Sequence, residues 1–380
     1  MADLGQAPSP GTLPHLFLLL TAISGEFPAQ LICRLPGGAA YKENVIKQLK
    51  RKRLLKTFYR DGLRGFRLTS AAKVLLLAQY PEHLRPYLTG SAETNALKSE
   101  VPRRMRLHRM AEILTIMFNA DVRVFGWEKA PIFKPAPFFA VSSFPLPAYY
   151  SSRELKELGA LAIKVRGSRS TGVLLVDGGI FVVYNTGSSL MKWEYKSEMR
   201  MKALLQTELC SRRLAVHDWS GSIHGIMFGS DMNMLLTLMA NTATLRRNYF
   251  VLDGNLESFH FLTCDHRGEV ILQLLCHADQ RAVLDDILME NLSPKIEGWP
   301  IEHDAVDEHN APVLFAYTCD MPRIQRFDTA LELQGRVGTL ICFDFQESAL
   351  HQVCGPRVTL QCIDFEQFER SVFHPKENPD

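Results

Sequence analysis

No apolar run in the chain is long enough to cross a bilayer. The segment LPHLFLLLTAI at 13–23 has eleven residues, against the roughly 18 to 20 that a spanning helix needs. It also lacks a preceding basic stretch, so neither a secretion signal nor a membrane anchor is expected. No G-x-x-x-x-G-K-[ST] pattern occurs, which argues against ATP-driven chemistry, and the glycine pairs at 37–38 and 178–179 fit turns. There is no internal repeat and no long low-complexity tract. The eight cysteines, at 33, 210, 264, 276, 319, 342, 354 and 362, form no closely spaced pairs and lie mostly in apolar runs such as GTLICFDF at 338–345. They read as reduced thiols of a cytoplasmic protein. Net charge is nearly absent too, at +2 over 380 residues.

That near-neutrality is an average over two opposed regions. Residues 41–67 hold ten Lys and Arg against Glu43 and Asp61, a net of +8, whereas residues 281–380 hold 18 acids against 8 cations, a net of −10. A basic head and an acidic tail call for different partners. A length of 380 residues exceeds what one core usually serves and predicts two or three domains.

The basic segment predicts a winged helix-turn-helix. Residues 1–12 form a Pro- and Gly-bearing lead, read as disordered. Helices are expected over 13–26, 28–35 and 39–55. On the third, Val45, Ile46 and Leu49 share one side, while Asn44, Lys47, Gln48 and Arg51 fall at i, i+3, i+4 and i+7 on the other. Asp61-Gly62 then joins two β-prone runs, 56–60 and 63–69, as a tight hairpin, the wing. Thr69 or Ser70 caps a closing helix over 71–79. Asn44, Lys47, Gln48 and Arg51 would face bases of double-stranded DNA; Lys50, Lys52, Arg53, Arg60 and Arg64 would meet phosphates. The competing reading is a solvated charged face on a protein-interaction winged helix.

Residues 89–101 read as linker, and 102–119 as a helix whose Arg103, Arg104, Arg106 and Arg109 crowd the end where the macrodipole disfavours cations, so they answer to a partner or to nearby acids. The stretch APIFKPAPFFAVSSFPLPAYY at 130–150 suits an extended connector and a domain boundary. Beyond it the pattern alternates. Strands are expected at 161–165, 172–176, 180–185, 222–228, 249–252, 259–263, 270–275, 313–318, 339–345 and 358–365, and helices at 152–159, 188–212, 230–241, 278–291, 322–333 and 365–373. This is an α+β or α/β chain with a mixed sheet, divided as a domain over 13–88, a linker with a basic helix over 89–150, an α/β region over 151–215 and an acidic α/β region over 216–380.

In its first 215 residues or so the order of features resembles the replication-relaxation family of bacterial plasmids and conjugative elements. The resemblance is carried by KRLL at 52–55, FYRDGLRGFRLTSAAKVLLL at 58–77, RRMRLHRMAEILTIM at 103–117 and RSTGVLLVDGGIFVVYNTGSSLMKWEYKSEMRMKALL at 169–205. It implies a DNA-binding winged helix followed by a domain similar to the restriction-endonuclease fold, acting in replication, relaxation or transfer of a mobile element, alongside other replication or transfer proteins. The chain departs from the family at the metal site. Ser170 and Thr171 stand where Pro and Asp are usual, and Tyr184-Asn185-Thr186 ends the next strand. Hydroxyls and an amide are poor Mg²⁺ ligands, so the expected protein is non-catalytic and needs no cofactor.

Other constellations carry competing readings. A metal-dependent nuclease would use Asp177 with Glu194 and Lys196, an E-x-K spelling that falls in a predicted helix rather than on a strand. Cys264-Asp265-His266 and Cys276-His277 lack zinc-ligand spacing. His217-Asp218 with Ser220 or Ser222 contains the residue types of a hydrolytic triad, for which loop residues are the simpler reading.

Overall fold

Three sheets organise the chain in the computed structural model, which describes residues 8–134, 145–158, 167–177, 179–214, 222–244, 248–252 and 254–373. The fold is mixed α and β, as expected. The first unit runs α1 (Leu13–Ser24), β1 (Phe27–Pro28), a 3-10 turn (Ala29–Arg34), α2 (Ala39–Arg51), β2 (Leu55–Arg60) and β3 (Leu63–Leu68). Its antiparallel sheet has the order β1-β3-β2. Asp61 and Gly62 both take positive φ, 52° and 75°, giving the two-residue hairpin turn that the sequence announces. Thr69 caps α3 (Ser70–Gln79) by accepting from the Ala72 amide.

Two helix expectations fail here. Residues 28–35 do not form an α-helix, because Phe27 and Pro28 pair with Phe66 and Gly65, and only the short 3-10 turn follows. The third helix stops at Arg51 rather than 55. Arg53 adopts φ 55°, the Leu54 amide reaches back to the Leu49 carbonyl at 2.9 Å, and Leu54 and Leu55 are buried. Burying two consecutive leucines suits a strand entering a core better than a continuing helix.

The expected linker at 89–101 is largely helical. After α4 (Pro81–Leu88) come α5 (Gly90–Leu97) and α6 (Val101–Asn119); α6 packs along α1, and its Ile113, Ile116 and Met117 belong to the same apolar cluster as Phe17 and Leu20. Residues 135–144 of the expected connector lie outside the described residues, as does the expected strand at 161–165 and residues 1–7 of the lead. Residues 154–158 form a 3-10 turn where an α-helix was expected.

The middle sheet has the order β4-β5-β6-β7-β8: β4 (Ala148–Ser151), β5 (Gly172–Val176) and β6 (Gly179–Gly187) are antiparallel, while β6, β7 (Ile223–Gly229) and β8 (Phe259–Thr263) are parallel. The boundaries expected at 150/151 and 215/216 both cut through this sheet. Its crossovers are α7 (Tyr195–Leu204), continued by a π-helix (Leu205–Arg213), and α8 (Asn233–Thr244). The helix expected from 188 starts only at Tyr195. Tyr249 makes a single bridge to Lys192 in place of the strand expected at 249–252.

The largest correction is at 270–275, expected as a strand and found inside α9 (His266–Cys276). A short apolar run broken by a lone Gln273 gives too little periodicity to separate a buried strand from a buried helix; Asp265, accepting from the Gly268 amide at 3.1 Å, supplies the N-cap. After α10 (Ala278–Met289), the third sheet has the order β13-β12-β11-β10-β9, from β9 (Ser293–Pro294), β10 (Ala305–Val306), β11 (Pro312–Phe315), β12 (Gly338–Phe343) and β13 (Val358–Ile363). Its helices are α11 (Met321–Gln334), α12 (Asp344–Val353) and α13 (Phe365–Val372). α12 was missed; residues 344 and 345, expected in a strand, open it.

One apolar cluster runs from Leu13 and Phe17 in α1, through Leu174 and Phe228 of the middle sheet, to Phe343 and Phe368 near the C-terminal end. Arg34 and Asn119 tie the first unit to α9: Arg34 pairs with Glu269 at 2.5 Å and donates to the Cys264 carbonyl at 2.8 Å, and Asn119 donates to Glu269 at 2.7 Å.

Candidate nucleic-acid interface

The amphipathic division of α2 is strict. Val45 and Leu49 are buried, each 2% exposed, while Asn44, Lys47, Gln48 and Arg51 are exposed. Lys47 makes only a loose, solvent-exposed pair with Glu43 at 3.7 Å, which is worth little. Lys50 is half-buried, its ammonium 5.4 Å from the Phe66 ring centre. Lys52 and Arg53 are exposed in the turn after the helix.

The hairpin continues this surface. Tyr59 on β2 stands opposite Arg64 on β3, and both are exposed, Tyr59 by 69%. By strand alternation they share a side with Thr57 and Phe66, the ring that Lys50 overlies. Arg60 is exposed but engaged, pairing with Asp61 at 3.4 Å and donating to Ser99 Oγ at 2.6 Å. Among the described residues, the side chains of Arg51, Lys52, Arg53, Lys56 and Arg64 have no hydrogen-bond or ion-pair partner. Lys56 and Tyr59 do not stand out in the sequence; both are exposed, on opposite faces of β2, Lys56 paired across the ladder with Arg67 and Tyr59 with Arg64.

Two of the ten cations turn inward. Lys42 donates to the Cys33 carbonyl at 2.7 Å. Arg67 joins a buried cluster that sequence reading missed, centred on the fully buried Glu26. Arg67 Nη2 lies 2.7 Å, Arg104 Nη2 2.5 Å and His108 Nε2 2.8 Å from the Glu26 carboxylate. Arg104, also fully buried, donates further to the backbone carbonyls of Arg60 at 2.8 Å, Leu63 at 3.0 Å and Phe58 at 3.3 Å. The guanidinium groups of Arg67 and Arg104 stand 3.8 and 4.7 Å from the Phe58 ring centre. Thus Arg104 answers an internal acid and fastens the hairpin from behind. Burial alone would raise the Glu26 pKa, but the hydrogen bonds from His108, Arg104 and Arg67 outweigh it and bring the pKa from 4.5 to about 2. Gly65 passes so close that a Cβ there would overlap the Glu26 carboxylate. A lone Glu between a helix-ending glycine and Phe27-Pro28 was the available signal, since a charge amid apolar sequence is seldom buried without a partner.

The residues of the nuclease alternative are not brought together. Asp177 is exposed in the turn after β5; Glu194 occupies the N-cap of α7 and Lys196 its first turn, both exposed. The E-x-K spelling therefore opens a helix. Among the described residues no group of three or more His, Cys, Asp or Glu is placed to hold a metal ion. Tyr184 donates to the buried Glu198 at 2.8 Å, which also accepts from Ser168 Oγ and the Arg169 amide, both at 2.9 Å. Asn185 donates to Glu112 at 2.7 Å. Burial pushes the Glu198 pKa up, and its donors make it part of the scaffold.

The cysteine and histidine motifs resolve into ordinary roles. Cys276 is buried, Asp265 caps α9, and His266 sits between Glu269 and Glu369, whose hydrogen bonds raise its pKa to about 9. All eight cysteines are free. His217, Asp218 and Ser220 lie outside the described residues. No helix among the described residues is long and apolar enough to cross a membrane.

The chain matches no family model, no curated protein and no solved structure.

Proposed function

We propose that this is a non-catalytic, double-stranded DNA-binding protein whose first unit is a winged helix-turn-helix. The order helix, strand, short helical turn, helix, hairpin, with sheet order β1-β3-β2, suits that motif, α2 serving as the recognition helix and the β2–β3 hairpin as the wing. The observation that carries the reading is the set of exposed cations left without acidic partners on both elements, Arg51, Lys52 and Arg53 after and along the helix and Lys56 and Arg64 on the hairpin. Structural cations normally find carboxylates, as Arg67 and Arg104 do. Exposed cations without acidic partners on both elements fit a polyanion.

In this reading Asn44, Lys47, Gln48 and Arg51 address base edges, and Lys50, Lys52, Arg53, Arg60 and Arg64 address phosphates. A role in replication, relaxation or transfer of a plasmid or conjugative element, in the cytoplasm and beside other replication proteins, rests on the family resemblance of the sequence. A gel shift comparing intact protein with a Lys47/Lys50/Arg51 triple alanine variant tests the central point. Loss of two base-facing cations and of the phosphate-facing Lys50 should weaken binding by about tenfold or more and flatten the salt dependence by about one unit of log–log slope. Equal shifts for the two proteins would refute the assignment. Incubating supercoiled plasmid with Mg²⁺ or Mn²⁺ separates the nuclease reading: nicking abolished by Asp177→Ala or Glu194→Ala would replace the non-catalytic one.

A further inference from the structure

The acidic end of the chain carries a groove of about 420 Å³ beside the C-terminal half of α10. Ile287 and Leu288 of that helix, Leu292 just after it and Ile341 of β12 give it an apolar lining, and Asp307 and Glu308, in the turn between β10 and β11, also line it. No Lys or Arg lines it. The apolar surface extends past the groove along α10: Val283 and Ile287, at i and i+4, are 48% and 46% exposed, a spacing that puts two anchors on one face. Asp279 and Asp286 are exposed on the same helix and Glu290 at its C-cap, against one exposed cation, Arg281. Gln361, on the edge strand β13, also lines it.

We propose that this groove is a docking site for a basic amphipathic helix of a partner protein. An amphipathic ligand helix lays its apolar stripe on an apolar groove of this kind, and the exposed Val283 and Ile287 lengthen the apolar surface it would cover. The lining acids select its charge. Residues 281–380 carry a net of −10, so two copies of this region repel one another, whereas a Lys- or Arg-bearing helix is attracted and steered. The site lies apart from the α2 and hairpin surface and stands whether or not that surface binds DNA.

The test uses the full chain and a fluorescein-labelled 18-residue Leu/Lys peptide with Leu at i, i+3, i+4 and i+7. The control peptide has the same composition scrambled to remove the apolar stripe. Anisotropy should show the striped peptide binding at least about tenfold more tightly than the scrambled one. Ile287→Asp should cost about tenfold although it adds a negative charge, and Val283→Asp, at a more exposed position, should act in the same direction with circular dichroism unchanged. Asp286→Asn with Glu290→Gln should weaken binding and reduce its salt dependence. Equal binding of both peptides, or none of either, overturns the proposal, as does an Ile287→Asp protein that binds like wild type. Sedimentation showing a dimer that Ile287→Asp disrupts would assign the groove to a second copy instead and equally overturn it.

Discussion

Arg53 carries a conformational conflict in a single residue. It sits at φ 55° in the turn that ends α2, where glycine is the usual choice because a side chain there costs about 1 kcal/mol or more. Arg53→Gly should therefore stabilise the protein by about 1 kcal/mol, seen as a rise of a few degrees in melting midpoint, while binding to DNA weakens. A variant that melts lower would show that the Arg53 side chain contributes more to the fold than its backbone costs. Glu26 makes the opposite case. Its pKa is depressed from 4.5 to about 2, so its stabilising contribution is complete above the unfolded value and disappears as pH falls through that interval. Denaturant titrations stepped down from about pH 5 should lose stability more steeply in the wild type than in Glu26→Gln. That variant should itself be destabilised at neutral pH by about 3–5 kcal/mol, because Arg67 and Arg104 stay buried without their counter-ion. Parallel pH profiles for the two proteins would exclude Glu26 as the source.

At the level of elements, what could be read in advance depended on local chemistry. Asp61-Gly62 dictated the hairpin and Thr69 the start of α3, since turn and cap residues act over a few positions. The exposed stripe Asn44, Lys47, Gln48 and Arg51 followed from helical period alone. The wet side of the candidate interface was thus visible, but its buried support was not, because Glu26, Arg67, Arg104 and His108 meet only through the fold. VILQLLC at 270–276 failed for a different reason. A helix buried nearly all round shows no polar face, and the cap at Asp265 lies just outside the apolar run. If that cap decides the outcome, Asp265→Ala should lower stability by about 1 kcal/mol, with loss of helical ellipticity at elevated temperature. An unchanged melt would mean that packing of α9 suffices.

Across the whole molecule, the first unit is built into its neighbours rather than tethered to them. Residues 13–88, the span read from sequence as a domain, contain Glu26 and Arg67 but not Arg104 or His108, and they lack the α6 face that covers α1. Expressed alone, 13–88 should be unfolded by circular dichroism and bind no duplex, whereas 8–134, which restores α6, should regain helical signal. A folded, DNA-binding 13–88 would show that the cluster around Glu26 is dispensable.

The fastening of the hairpin by Arg104 sets the thermodynamics of whatever that hairpin meets. A loop that must order itself on contact loses entropy in the act; this one is already held by three carbonyl contacts and a neutralised acid beneath it. Encounter then resembles the seating of a finished part, with little heat-capacity change contributed by the hairpin itself and a dissociation rate governed by the surface groups alone.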